Sequence, residues 1–312
     1  MRTRWWRAVQ WAAGIAVVFF AARALVRNAD QLRATDMQWA LSPGQLVLSA
    51  LAVWAMYVLL IQAWRIMLHG WGERLRWWTA ARIWTVSSLG KYVPGKVWAI
   101  AGMAMMAQQA GVAAWAATGS AIILQALAVV TGTAVVAVTG LGVLESAYPG
   151  AAIWLAALLA ASIVGILVLV WPPATRRLLT LAGQGTGLRT PSPASIGFGA
   201  LANLVAWMGY GSALWLLARG VLPASGLTIP AAIGAFAASY LAGLLALFAP
   251  AGLGVREGVF ILMLERPLGI GAASALALAS RLLLTITELG AAAPFVLARR
   301  EGGERDGLPD AK

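Results

Sequence analysis

Six ionisable side chains stand inside stretches of this sequence that are otherwise apolar: Lys91, Lys96, Arg256, Glu257, Arg281 and Glu288. A charge at the centre of a bilayer costs about 2.5–3.5 kcal/mol on translocon scales, so charges kept there bind, relay or pair. Lys91 and Lys96 flank Pro94-Gly95, while Arg256-Glu257 follow Pro250, Gly252 and Gly254. Proline removes an amide donor and glycine permits the turn, so both runs break a helix. The half-helix that restarts after such a break presents free amides, and amides beside lysine or arginine suit a phosphate. Arginine adds bidentate contact with phosphate oxygens. The candidate substrate-binding set is therefore Lys91, Pro94, Gly95, Lys96, Pro250, Gly252, Gly254, Arg256, Glu257, Arg281 and Glu288.

Each of these residues also has a plainer reading. Lysine snorkels to an interface on its long stem, and Glu257 can offset the dipole of a half-helix. Arg281 and Glu288 are two turns apart on one helix face, about 10 Å, too far to bond each other. Arg281 is placed to meet Glu257, and Glu288 to meet Lys91, Lys96 or Arg256. Such pairs would tie helices together whether or not they touch a substrate.

The elements that must hold these residues follow from composition. Of 312 residues, 61% are apolar and 11% charged, against about 25% charged in soluble domains. Apolar runs of about 20 residues recur, each long enough to cross roughly 30 Å of hydrocarbon as a helix. The runs are unbroken and rich in Ala, Leu and Val, unlike the short alternating strands of a barrel. The fold class is an all-α polytopic membrane protein. Full spans are expected at about 8–22, 46–66, 111–141, 150–171, 194–218 and 271–297. The first also reads as a signal peptide cleaved at Ala22-Arg23-Ala24, but the symmetry described below needs it as a helix.

The net charge of +12 lies mostly in short loops beside the spans. That is the positive-inside pattern rather than a nucleic-acid surface, because no basic domain stands outside the membrane. Trp5, Trp6, Trp71, Trp77, Trp78 and Trp171 fall at span ends, where an amphipathic ring suits the headgroup zone. Arg65, Arg74, Arg76, Arg82, Arg176, Arg177, Arg189, Arg299 and Arg300 mark the cytoplasmic side, which puts both termini in the cytoplasm. The remaining apolar stretches, 80–109 and 228–266, are each interrupted. In the first, each arm has about 13 residues, roughly 20 Å of helix, too short to span. They are expected as re-entrant hairpins entering from opposite faces. Residues 1–141 and 150–299 then read as an inverted repeat within a single domain, 1–300, with a disordered cytoplasmic tail at 301–312. Inverted repeats with broken helices are a recurrent transporter plan, and irregular backbone at membrane depth needs cover from protein or water.

Other features point away from catalysis. Gly183-Gln184-Gly185-Thr186-Gly187 lacks the strand before it and the Lys-Ser or Lys-Thr after it that a phosphate loop needs. His69 is the sole histidine and there is no cysteine, so no metal site, thiolate chemistry or cofactor is expected. No Ser/His/Asp or Cys/His set can be assembled. Asn203, Gln125 and Ser120 are expected to hydrogen-bond between helices as packing.

The two breaks carry a family resemblance. The run from Ser88 through Gly90, Lys91, Tyr92, Val93, Pro94, Gly95 and Lys96 to Trp98, and the run Ala249-Pro250-Ala251-Gly252-Leu253-Gly254-Val255-Arg256-Glu257-Gly258, resemble the paired signatures of the lysylphosphatidylglycerol synthase transmembrane family, the flippase-like membrane domains. The resemblance covers about 1–300 and implies lipid translocation between leaflets of a bacterial inner membrane. It departs at Val97-Trp98, where many members carry a Gly-Glu pair. No aminoacyl-transferase domain follows Arg300 here, so the chain is expected not to make an aminoacyl lipid itself. Its first motif is more similar to stand-alone relatives found with envelope-glycan or polyprenyl-lipid pathways.

These readings converge on a non-enzymatic lipid transporter. Its partners would be the bilayer and a lipid with an anionic headgroup: phospholipid, aminoacyl-phospholipid or polyprenyl-linked glycan. The rivals are a partner subunit of an envelope-synthesis complex and a membrane-embedded lipid transferase. A homo-oligomer stays open.

Overall fold

The computed structural model describes residues 40–92, 97–139, 150–181, 191–246 and 249–305. These form ten α-helices and three short 3₁₀ turns. Five helices are long and apolar enough to cross a membrane: α1 (Pro43–His69), α4 (Ala114–Thr139), α5 (Ala151–Val170), α7 (Pro193–Val221) and α10 (Ile270–Arg305). Their apolar windows have mean hydropathies from 1.3 to 2.8, and large side chains such as Ile153, Trp154 and Ile286 point outward. A helix apolar all round is solvated by lipid or by other helices, not by water. The chain is a multi-pass α-helical membrane protein. Five of the expected spans coincide with these helices; the first, 8–22, lies outside the described residues.

Both interrupted stretches are short helices on either side of a turn. The first is α2 (Trp77–Ser88), a 3₁₀ turn at Leu89–Tyr92, and α3 (Val97–Gln109). The second is α8 (Ile229–Leu245), a 3₁₀ turn at Pro250–Gly252, and α9 (Val255–Leu268). The longest of these four helices has 17 residues, about 25 Å at 1.5 Å per residue, short of the hydrocarbon thickness. Within each stretch the two helices pack against each other, and the two 3₁₀ turns touch.

Two differences from the sequence expectation concern polar segments. The basic loop after α5 contains a helix, α6 (Pro172–Leu181), holding Arg176 and Arg177. Proline at the first helical position is pre-organised for such a start. Helix α10 continues to Arg305, into the tail expected to be disordered from 301. Adding a turn to an existing helix is far easier than nucleating one, which offsets the poor helix propensity of Gly302 and Gly303.

Packing divides around the central pair α1 and α7, which lie against each other. One apolar cluster gathers Trp64, Met67, Ile83, Ile123 and Leu127 around α2, α3 and α4. The other gathers Trp207, Phe236, Phe260, Leu264 and Leu276 around α8, α9 and α10. Helix contacts come in matched sets: α3 on α4 and α9 on α10, α4 on α8 and α10 on α2, α4 on α7 and α10 on α1. Interhelical polar bonds are few and specific. Trp64 Nε1 donates to Ser120 Oγ at 2.8 Å, whereas Asn203 Nδ2 donates back to Gly199 O of its own helix at 2.8 Å and Gln125 is exposed.

The contact between the two turns can be tested directly, because the chain has no cysteine of its own. With Leu89→Cys and Ala251→Cys together, a short thiol cross-linker is expected to join the two halves, read as a mobility shift after cleavage between them. Leu89→Cys paired with Ile153→Cys should give none.

Candidate functional site

The second break owes its shape to positive φ at three of four successive positions. Ala251 (φ 48°), Gly252 (φ 69°) and Gly254 (φ 81°) turn the chain from α8 into α9. Only Ala251 bears a side chain in the left-handed region, which is uncommon for such a residue. Gly252 also lies on the backbone of Gly243 in α8, and a Cβ there would stand 2.7 Å from the Gly243 Cα. In the first break Gly90 lies as close to the start of α3, where a Cβ would be 2.8 Å from Ala99 N. Both turns are therefore pressed against one of their own flanking helices.

The turns deliver charged residues to α10. Arg281 and Glu288 are buried on that helix, 6% and 8% exposed. Leaving either charge there without a partner would cost several kcal/mol. Lys91 Nζ pairs with Glu288 Oε1, and Tyr92 OH donates to Glu288 Oε2 at 2.7 Å. Seven residues earlier, Arg281 Nη1 pairs with Glu257 Oε1. The other Glu257 oxygen accepts the Gly254 amide at 2.8 Å, so this carboxylate caps α9 and neutralises α10 together. One helix thus receives one ion pair from each break.

Arg256 is held differently. Its guanidinium lies 5.3 Å from the Phe236 ring centroid and 5.5 Å from that of Tyr240, both on α8. Its Nη2 reaches Ser280 Oγ at 3.5 Å, the outer limit of a hydrogen bond. Among the described residues no carboxylate pairs with it. Among the described residues, Arg281 Nε is buried with no hydrogen-bond partner, as is Tyr57 OH on α1. Tyr57 lies beside Tyr210 on α7, 6.2 Å between centroids. Tyr210 stacks on Phe236 at 5.4 Å, and Phe236 on Tyr240 at 5.9 Å. Four of the chain's five tyrosines therefore stand around the charged cluster.

Of the sequence-derived candidates, the structure brings together Lys91, Gly252, Gly254, Arg256, Glu257, Arg281 and Glu288, with Pro250 in the second turn. Pro94, Gly95 and Lys96 lie outside the described residues. Sequence reasoning missed Tyr57, Tyr92, Tyr210, Tyr240, Phe236 and Ser280. Tyrosine was the available signal, since the chain has only five, and Tyr57 and Tyr210 each stand as the one tyrosine of a span. Chemically, the cluster can hold an anion and can exchange ion-pair partners. It offers guanidinium and ammonium donors and aromatic walls.

Within the cluster, Glu257→Ala alone is expected to cost about 3–5 kcal/mol, because it strands the buried Arg281. Adding Arg281→Met should restore a large part of that loss. Thermal unfolding of the four members of this double-mutant cycle in one detergent gives the coupling, and purely additive losses would show that the pair does not hold the break to α10.

A family model described as the lysylphosphatidylglycerol synthase TM region matches residues 8–287. No curated protein matches the chain.

Proposed function

The chain belongs to the lysylphosphatidylglycerol synthase transmembrane family, and from that premise we propose that it moves an anionic or phosphate-bearing lipid between membrane leaflets. The observation that carries this reading is the meeting of two helix breaks at one cluster of buried charges on α10. A headgroup crossing hydrocarbon must replace its hydration with fixed donors, or bear the full desolvation cost of a charge. Broken helices supply such donors at membrane depth, and they persist only where protein or water covers their freed backbone groups.

The alternation of access follows an inverted-repeat scheme. Residues 1–141 and 150–299 form two halves of opposite orientation, with α2–α3 and α8–α9 as re-entrant hairpins dipping in from opposite faces. The matched sets of helix contacts support this division. In such a scheme one half rocks against the other about the central α1–α7 pair. The acyl chains stay in lipid while the headgroup visits the part of the charged cluster at the second break. The setting is a bacterial inner membrane with both termini in the cytoplasm, and no covalent chemistry is performed on the lipid. Phospholipid, aminoacyl-phospholipid and polyprenyl-linked glycan all fit the charge requirement.

Reconstitution into proteoliposomes with a trace of fluorescent anionic phospholipid, followed by dithionite quenching of the outer leaflet, tests this reading. The wild-type chain is expected to expose inner-leaflet label on the timescale of minutes, and Arg256→Ala to slow exposure about tenfold or more, the scale of a lost charged hydrogen bond. Unchanged exposure in Arg256→Ala would remove the charged cluster from the path. No movement by the wild type, together with a stably co-purifying protein, would favour a partner subunit instead.

A further inference from the structure

The charged residues divide according to what already satisfies them. Glu288 is fully engaged, with one oxygen on Lys91 and the other on Tyr92. Glu257 is engaged in the same way by Arg281 and the Gly254 amide. Arg256 and Arg281 are not. Aromatic faces steady the Arg256 cation but accept none of its five N–H donors, and Ser280 at 3.5 Å takes at most one. Arg281 spends Nη1 on Glu257 and leaves Nε buried without an acceptor. A buried donor left unpaired is unfavourable, so among the described residues the site is incomplete as it stands. Arg256 and Arg281 stand on adjacent rungs between α9 and α10, residue 256 against 280 and residue 257 against 281.

We propose that Arg256, Ser280 and Arg281 form a site for one phosphate oxyanion, while Lys91, Tyr92 and Glu288 form a clamp on the first break that takes no part in binding it. Phosphate matches the donors left over: a planar fork on Arg256, a hydroxyl, and the buried Nε–H of Arg281. It need displace nothing, because both carboxylates already have their partners. Access comes from Arg256, which is half-buried, whereas Arg281 at 6% exposure forms the floor. The clamp is set apart by its connections, since it ties Leu89–Tyr92 to α10 two turns further along. The assignment rests on the lipid-transport reading only for the source of the phosphate, a lipid headgroup or the free ion.

Native mass spectrometry of the full chain in an uncharged maltoside detergent reads the site. Dihexanoyl phosphatidylglycerol, inorganic phosphate and phosphate-free dihexanoylglycerol are titrated separately. Arg256→Gln is expected to weaken dihexanoyl phosphatidylglycerol binding about tenfold or more, with Arg256→Lys recovering part of it. Ser280→Ala, a smaller change that tests the site if the arginine variants fail to fold, should weaken it about threefold. Lys91→Met and Glu288→Gln should lower the unfolding temperature yet keep affinity within about twofold. Arg256-dependent binding of inorganic phosphate alone would uphold the site and assign the free ion as its ligand, and the lipid-transport reading would then stand or fall on the proteoliposome assay. Equal weakening by Lys91→Met, unchanged binding in Arg256→Gln, or equally tight binding of dihexanoylglycerol would each overturn the proposal.

Discussion

Two charges buried on one apolar helix constrain the rest of this molecule. Burying the charges of Arg281 and Glu288 on α10 is costly unless an opposite charge reaches each of them. Neither partner comes from a neighbouring span. Both come from interrupted helices, and a straight helix running past α10 would not carry Lys91 and Glu257 in from two directions. The breaks, the contact between their 3₁₀ turns and the packing of α9 and α2 on α10 all serve that demand.

The backbone of the breaks is adapted to the same end. Gly252 on Gly243, and Gly90 on the start of α3, let a turn lie flat against a helix where any side chain would hold it away. The flat turn sets the direction of the residues that follow. At the second break they are Arg256, aimed at the α8 rings, and Glu257, aimed at α10. Adjacent residues at the head of a helix point about 100° apart, so one short segment serves two neighbouring helices. Cation–π contact, worth about 0.5–2 kcal/mol, steadies Arg256 without cancelling its charge.

Much of this was legible in the sequence. The apolar runs gave five of the described helices to within a few residues, because a 20-residue stretch without charge has few alternatives in a cell. Pro250 with its glycines marked where the second interrupted stretch turns, and the described turn of the first lies at Leu89–Tyr92. The pairing of Arg281 with Glu257 was foreseen from the cost of burying either, and for Glu288 the sequence left three cations open, of which Lys91 is the one observed. The aromatic surroundings were not legible. Tyr57, Tyr210, Phe236 and Tyr240 lie on three helices far apart in the chain, and in a uniformly apolar span no periodicity says which face meets which. Helix α6 escaped for a different reason: a ten-residue amphipathic turn after Pro172 looks like a basic loop when only charge is counted.

Helix α5 stands apart from this economy of contacts. Its window has the highest mean hydropathy of the five, 2.8, yet only 17% of it is buried, against 61% for α10. It leans chiefly on α4, with Gly165 set near the Val130 side chain. Among the described residues it has few protein neighbours, so lipid supplies much of its surroundings, and few buried contacts make for low local stability. Detergents that strip annular lipid would therefore loosen α5 while the charged centre remains intact, and the choice of solubilising agent becomes a variable in how much of the molecule is held together.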